Sequence, residues 1–231
     1  MTTTFDAGKQ AAGYAAVDRF VRNGTCIGLG TGTTAYYAIE RVGQRIAAGE
    51  DIVAVASSKE TERLCRQSRI PVVELLEREM DVAIDGADEI APDWALIKGG
   101  GGALFREKTL ALCAARFVVI GTASKLVPVL GSFPLPIEIV QFAWPYVERE
   151  VRNAYPSAQI LRRGGDTPFI TDNANWILDC HFGPIESPAL LDTSLKKIHG
   201  VVATGIFVGL TNDVLIGHDD GTVDAHTRAL S

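Results

Sequence analysis

Apolar positions recur along this chain in two periods, and the mixture of periods changes partway along. Residues 5 to 22 place Tyr14, Val17 and Val21 on one helical stripe, and Asn23-Gly24 supplies a helix stop. TCIGLG at 25 to 30 is a short continuous apolar run, which predicts a strand. After the TGTT turn, Ile39, Val42 and Ile46 return to helical spacing, predicting a helix to about residue 48. DIVAVAS (51 to 57) predicts a strand, and Ser57 with Glu60 has the spacing of a capping box for the helix that follows. PVVELL (71 to 76), DVAID (81 to 85) and ALIK (95 to 98) predict further strands. A helix is expected over about 103 to 116, and FVVIG (117 to 121) returns to strand.

Strand and helix alternate throughout this stretch, which predicts an α/β fold with a mostly parallel sheet and helices on both faces. The pattern changes after about residue 130. PLPIEIV, a helix near 145 to 154, AQILRR, FITDN, NWILDCHF, a helix near 187 to 199 and VVATGIF follow one another. Strands with short connections predict α+β structure with antiparallel pairing. VLIGH (214 to 218) is the last strand expected and is placed back in the first sheet.

Composition narrows the classes. The 231 residues suit one large domain or one domain with a smaller companion. A net charge of −6 argues against a general nucleic-acid binder. No apolar run reaches the roughly 18 residues of a membrane span. The first residues, MTTTFDAGKQ, lack the order of a secretory leader, so a cytoplasmic location is expected. Cys26, Cys65, Cys113 and Cys180 form no CxxC pair, and Cys26 and Cys113 read as buried free thiols. His181, His199, His218 and His226 show no ligand spacing, so no metal is expected.

Three motifs carry candidate chemistry. GLGTGTTA, Gly28 to Ala35, lies between a strand and a helix. Glycine there lets backbone N–H groups approach an anion at a helix start, and Thr31, Thr33 and Thr34 add hydroxyls. It matches neither GxGxxG nor a P-loop, and a plain strand-to-helix turn is the competing reading. In DVAIDGADEI, Asp85 ends a strand, and Asp88 and Glu89 follow in the turn. Carboxylates at the carboxyl ends of strands suit acid–base work or metal binding, although Asp-Gly also marks an ordinary turn. KGGGGALFREK, residues 98 to 108, places four glycines ahead of a helix. Their N–H groups can stabilise an oxyanion. Ala103, Glu107, Leu110 and Ala114 share the inward stripe of that helix, so Glu107 is a candidate base, or else a glutamate that complements the helix dipole. Lys98 can pair with Asp85 or hold a substrate oxygen, and Lys125 and Lys9 are further cations; each alone reads as a surface lysine, but together they supply the local positive charge that a phosphate dianion needs.

Taken together, these motifs resemble the type A ribose-5-phosphate isomerases. The resemblance rests on GLGTGTTA, SSKET (57 to 61), DGADEI (85 to 90), KGGGGALFREK, ASK (123 to 125), FPLPIEI (133 to 139), TDNANWILD (171 to 179) and VVATGIF (201 to 207), in order from about Lys9 onward. It implies a cofactor-free and metal-free interconversion of ribose 5-phosphate and ribulose 5-phosphate. Glu107 then matches the base, and Asp85, Gly86, Ala87 and Asp88 match the DGAD motif. Lys98 with Gly99, Gly100 and Gly101 matches the KGGG segment. Thr31, Gly32, Thr33 and Thr34 match the phosphate loop, with Thr33 where serine is usual. Lys125 and Lys9 match substrate-binding lysines. Gly102 stands where alanine is expected and Phe105 where threonine is frequent. The resemblance also implies a Rossmann-like catalytic domain (1 to 130 and 203 to 231), a smaller ferredoxin-like α+β domain (131 to 202) and a homodimer or higher homo-oligomer.

Two other classes use related folds. A sugar-phosphate sensor is expected to carry a DNA-binding helix-turn-helix ahead of its sensor domain, yet only about 24 residues precede the first predicted strand. A coenzyme A transferase also combines a glycine-rich loop with a glutamate, but the TGTT loop and the chain length disfavour it.

Overall fold

The structure is a computed structural model and describes residues 6–228; the first residue of the predicted opening helix, position 5, lies outside them. The elements run α1 (Ala7–Phe20), β1 (Cys26–Leu29), α2 (Thr33–Ala47), β2 (Val53–Ala56), α3 (Lys59–Gln67), β3 (Val82–Gly86), β4 (Glu89–Ile90) and β5 (Leu96–Ile97). They continue with α4 (Leu104–Cys113), β6 (Phe117–Thr122), β7 (Leu135–Ile139), α5 (Trp144–Ala154), β8 (Gln159–Arg162) and β9 (Trp176–His181). The last are α6 (Pro188–Lys196), β10 (Val201–Thr204), β11 (Ile206–Phe207), β12 (Asp213–Gly217) and β13 (Val223–Thr227).

The chain divides into two compact units. The first takes the described residues up to Ala87, then Arg106–Lys125, then those from Leu210 on. Its sheet has the order β13-β12-β6-β3-β1-β2. All neighbours are parallel except β13, which pairs antiparallel with β12. β1 and β12 are buried along their whole length, as continuous apolar runs in a parallel sheet should be. Ala12, Ala16 and Val17 of α1 join Ala38, Ile39 and Val42 of α2 and Ile27, Ile84, Ile120 and Leu215 of the strands in one core. Asp6 caps α1 by accepting from the Lys9 N–H at 2.9 Å.

The second unit comprises Asp88–Phe105 and Leu126–Gly209. The order β7-α5-β8-β9-α6-β10 builds a four-stranded antiparallel sheet, β10-β7-β9-β8, the ferredoxin-like arrangement. Residues 88–105 fall in this unit, where β4 and β5 pair with β11 in a second, three-stranded sheet. Ile137, Val147, Val151, Leu178 and Leu195 anchor the core of the unit.

Several local expectations give way to the structure. PVVELL is not a strand: only Val72 bridges, to Ala54, and Leu75 and Leu76 run exposed over a turn. FITDN is a turn rather than a strand, closed by the Thr171 N–H donating to the Asn175 carbonyl at 2.9 Å. VVATGIF is cut at Gly205 into two strands of different sheets, since the Gly205 N–H donates to the Pro136 carbonyl at 2.7 Å. The cap of α3 is Ser58, one residue later than predicted, with its hydroxyl accepting from the Thr61 N–H. VLIGH does return to the first sheet, as β12.

Candidate active site

The first sheet reverses its strand order at β1. From β1 the chain moves to β2 on one side, whereas β3 lies on the other. Ligands of open α/β sheets bind beyond the carboxyl ends of the strands at such a switch point. The loop after β1 and the end of β3 meet there. The Thr31 N–H donates to Asp85 Oδ1 at 3.2 Å, and the same oxygen accepts from the Gly86 N–H at 2.7 Å. A side chain at position 30 is impossible without moving Asp85, because a Cβ on Gly30 would stand 1.9 Å from Asp85 Oδ1.

Gly32 is the N-cap of α2, at φ +116°, and offers no side chain to the first turn. The N–H groups at the start of this 15-residue helix therefore have no competing cap from the N-cap residue, which leaves the helix end suited to an anion. Thr33 is exposed and Thr34 buried. A small cleft is lined there by Thr31, Gly32, Thr33, Tyr36 and Thr61, among others.

Thr31 does something the sequence did not reveal. Its hydroxyl stands 2.8 Å from Ser57, 2.9 Å from Ser58 and 3.1 Å from Thr61. Thr61 in turn donates to the Gly30 carbonyl at 2.9 Å. This hydroxyl cluster ties the glycine-rich loop to the start of α3. The readable signal is SSKET, whose spacing reads as a cap and whose residues belong to the resemblance, without either pointing to a bond with Thr31.

Two lysines lie near the same edge of the first sheet. Gly8 of α1 packs so closely on Gly217 and Thr122 that a Cβ there would come within 3.0 Å and 3.2 Å of their atoms. This brings the start of α1, with Lys9, to the ends of β12 and β6, and Lys125 follows β6 by one short turn. The Lys9 ammonium is paired with Asp6 at 3.0 Å.

Glu107 sits in the first turns of α4 and is 3% exposed, with Leu104, Leu110 and Ala111 buried on the same helix. The inward stripe read from spacing is therefore real, and Arg106 and Lys108 are half-buried off it.

In the second unit, Lys98 directly follows β5 and is also 3% exposed. Its N–H donates to the Gly205 carbonyl at 2.8 Å, and its ammonium stands 5.6 Å from the centre of the Phe207 ring. The glycines follow directly. The Gly100 N–H donates to Asp88 Oδ2 at 2.8 Å, and the Gly102 N–H to the Gly99 carbonyl at 2.9 Å. Asp85 and Asp88 thus hold different backbone segments, the first in one unit and the second in the other.

Six charged side chains are buried among the described residues: Asp85, Glu89, Lys98, Glu107, Glu138 and Asp213. Glu89 binds the N–H groups of Gly131 and Phe133. Glu138 accepts from Thr171, Asn173 and Asn175, and Asp213 accepts from Arg116 and Thr227. These three hold loops and strands together. The remaining three are the residues that the motifs singled out. Among the described residues, no group of three or more His, Cys, Asp or Glu side chains is arranged to hold a metal ion, and no helix is long and apolar enough to cross a membrane.

Known proteins share this fold and much of this sequence. The family model for ribose 5-phosphate isomerase A (phosphoriboisomerase A) matches residues 53–221, a span that includes Asp85, Asp88, Lys98, Glu107 and Lys125. The ribose-5-phosphate isomerase A of Bacillus mycoides is 48% identical over 216 residues, covering 92% of this chain and 96% of that protein. The solved structure of ribose 5-phosphate isomerase from Plasmodium falciparum is 38% identical, with a TM-score of 0.92, over 96% of this chain and 98% of that one. A D-ribose-5-phosphate isomerase in complex with phospho-erythronic acid is 36% identical, with a TM-score of 0.90, over 95% and 97% of the two chains.

Proposed function

This chain belongs to the ribose 5-phosphate isomerase A family, and from that premise we propose how its residues divide the work. The protein is an aldose–ketose isomerase of the pentose phosphate pathway that interconverts D-ribose 5-phosphate and D-ribulose 5-phosphate. The sensor and coenzyme A transferase readings are not favoured by these relationships.

The reaction moves one proton between two adjacent carbons. In the proposed course, the Glu107 carboxylate removes the proton from carbon 2 of the open-chain aldose. The electron pair passes toward carbon 1, and negative charge develops on oxygen 1. Lys98 and the N–H groups of the glycine segment 99 to 101 stabilise that enediolate. Within the segment, Gly100 spends its N–H on Asp88, so Gly99 and Gly101 are the donors assigned to the oxyanion. The hydroxyl proton of oxygen 2 moves to oxygen 1, and Glu107 returns its proton to carbon 1, which completes the ketose. Asp85 assists ring opening by taking the anomeric hydroxyl proton and passing it to the ring oxygen as the bond from carbon 1 to that oxygen breaks. Asp88 binds sugar hydroxyls.

The phosphate is assigned to the start of α2, with Thr33, Thr34, Gly32 and the backbone of Thr31, and to Lys125 and Lys9. Binding energy at that remote group supports positioning of the reacting carbons. Neither a cofactor nor a metal takes part in this scheme. A cytoplasmic location and a homodimer or higher homo-oligomer complete the proposal.

The observation that carries it is the burial of Asp85, Lys98 and Glu107, each 3% exposed and each within the span that the family model matches. Burying ionisable groups is costly, and functional sites are where that cost is retained. The test follows ribose 5-phosphate in deuterated water by proton NMR, with a metal chelator present. Ribulose 5-phosphate should form with solvent deuterium at carbon 1. Glu107→Gln should slow turnover by at least roughly a hundredfold, the lower range for losing a general base. Near-normal turnover in that variant removes Glu107 from the role.

A further inference from the structure

The glycine segment is held from one side by a residue that no step above uses. Arg163 directly follows β8 in the second unit. Its guanidinium forms a two-pronged pair with Asp179 of β9, Nε donating to Oδ2 at 2.9 Å and Nη2 to Oδ1 at 2.6 Å. Nη1 donates to the carbonyl of Gly99 at 2.9 Å and to that of Gly100 at 3.2 Å. The pair is largely shielded, with the two side chains 16% and 18% exposed. The Phe169 ring lies 5.8 Å from the guanidinium and also closes against Gly102, where a Cβ would stand 2.5 Å from it.

Peptide geometry fixes the consequence. In a trans peptide unit the C=O and the next N–H point in opposite directions. With the Gly99 carbonyl drawn to Arg163, the Gly100 N–H points away from Arg163 and meets Asp88 at 2.8 Å. With the Gly100 carbonyl drawn the same way, the Gly101 N–H also points away from Arg163. Asp179, Arg163, the peptide joining Gly99 to Gly100, and Asp88 thus form one hydrogen-bonded series, in which each bond polarises the next. Glycines have no side chains to lock their peptide planes, and Gly99 already adopts φ +105°. The Gly99 carbonyl also accepts from the Gly102 N–H at 2.9 Å, and the guanidinium adds an anchor from outside the turn that reaches the Gly100 carbonyl as well.

We propose that Arg163 is a positioning residue for the isomerisation: clamped by Asp179, it sets the peptide planes of Gly99 and Gly100, and through them the aim of Asp88 and of the Gly101 N–H. The inference rests on the reading that this segment and Lys98 stabilise the enediolate. It assigns Arg163 no contact with substrate. A guanidinium is needed because one group must serve a carboxylate and two carbonyls at once, which the single ammonium of lysine cannot do in the same geometry.

The test uses the full chain and measures kcat, KM and two inhibition constants. Phospho-erythronate serves as the four-carbon acid resembling the enediolate, and inorganic phosphate serves as the probe of the remote site. Arg163→Met should lower kcat by at least tenfold, since misplacement by about an ångström can cost roughly a hundredfold. KM and inhibition by inorganic phosphate should stay within about twofold, while the phospho-erythronate constant should weaken in step with kcat. Asp179→Asn should move the same quantities less. Guanidinium added to Arg163→Ala should restore part of kcat, and Arg163→Lys, which keeps the charge, should still be slow. The Lys variant decides the matter if the Met variant does not fold.

A kcat within threefold of wild type in Arg163→Met or Arg163→Lys overturns the inference. So does a uniform loss of both inhibitors with no guanidinium rescue, which is the signature of a hairpin clamp alone. Lys98→Met separates this from the parent reading. If that variant keeps its turnover and its phospho-erythronate affinity, the enediolate assignment itself falls. If it loses them while the Arg163 variants do not, only the positioning role falls.

Discussion

Gly30 has no space for a methyl group, and the atoms that exclude it belong to Asp85. A Cβ there would lie 1.9 Å from Oδ1, 2.0 Å from Cγ and 2.6 Å from Cβ of that aspartate. Gly30→Ala must therefore displace Asp85 or bend the loop that carries Thr31. Gly28, two residues earlier in β1, offers a control, because its Cβ would press mainly on the flexible Met80 sulfur at 2.7 Å. Both changes overpack the first unit and should each cost about 1–3 kcal/mol in urea unfolding. Only Gly30→Ala should also lower kcat/KM by at least about tenfold, since only it moves a group assigned to ring opening. Equal kinetic effects in the two variants would show that Asp85 placement is not what turnover depends on. At this scale the sequence was informative where one residue's role followed from local spacing. Glu107 was readable because helical periodicity alone puts it on the buried stripe of α4. Arg163 was not, because an arginine pair at a strand end resembles a solvated surface. Its partners, Gly99 and Gly100, lie more than 60 residues away in sequence.

Elements with buried faces announced themselves, and exposed ones did not. β1, β6 and β12 are continuous apolar runs and were all predicted. β13 was not, because VDAHT forms an antiparallel edge with most of its positions exposed, so no hydrophobic alternation marks it. PVVELL failed in the opposite sense: an apolar run that stays at the surface reads as a strand although nothing pairs most of it. The start of α3 gives a direct comparison of pattern and structure. A Ser57–Glu60 box would make Glu60 part of the cap. In the structure Ser58 is the cap, and Glu60 is an exposed partner of Arg63 at 2.7 Å. Ser58→Ala should therefore cost about 1 kcal/mol for the cap, and more for the lost bonds to Thr31 and Thr61. Glu60→Ala should stay within about 0.5 kcal/mol, as exposed ion pairs contribute little. Thermal melts of the two variants check this: a fall of about 2–4 °C per kcal/mol is expected for a chain of this size. A larger fall for Glu60→Ala would restore the box.

Across the whole molecule, the two units are woven from one chain that passes between them four times. Linear pattern could show a change of style near residue 130, but not that 88–105 joins the later unit. That membership is decided by the pairing of β5 with β11, more than 100 residues further on. The weave has an energetic consequence. If the second unit unfolds, the first must close two disordered loops, of about 20 and about 80 residues. Those closures cost about 3 and about 4 kcal/mol by the logarithmic length law. The sum is comparable with the 5–15 kcal/mol that keeps a typical domain folded, so the units should unfold together. The cysteines report on this directly. Cys26 and Cys65 are buried in the first unit and Cys180 in the second, while Cys113 is half-buried. Burial raises the Cys26 thiol and pushes Cys65 and Cys180 up to about 12. Since the thiolate is the nucleophile, native protein at pH 8 should alkylate Cys113 first and the other three only on opening. Along a urea series, Cys65 and Cys180 should become reactive at one midpoint; two separate midpoints would show that the weave does not couple the units. The same shifts fix a pH trend. These thiols stay protonated in the folded chain while the unfolded chain releases its protons near pH 8.5, so unfolding binds fewer protons above that value and stability falls as pH rises. The slope from Cys65 and Cys180 approaches about 1.4 kcal/mol per pH unit each between roughly pH 9 and 12. Replacing both with alanine should flatten the decline in urea midpoint between pH 8 and 10. An unchanged decline would place its origin in other groups.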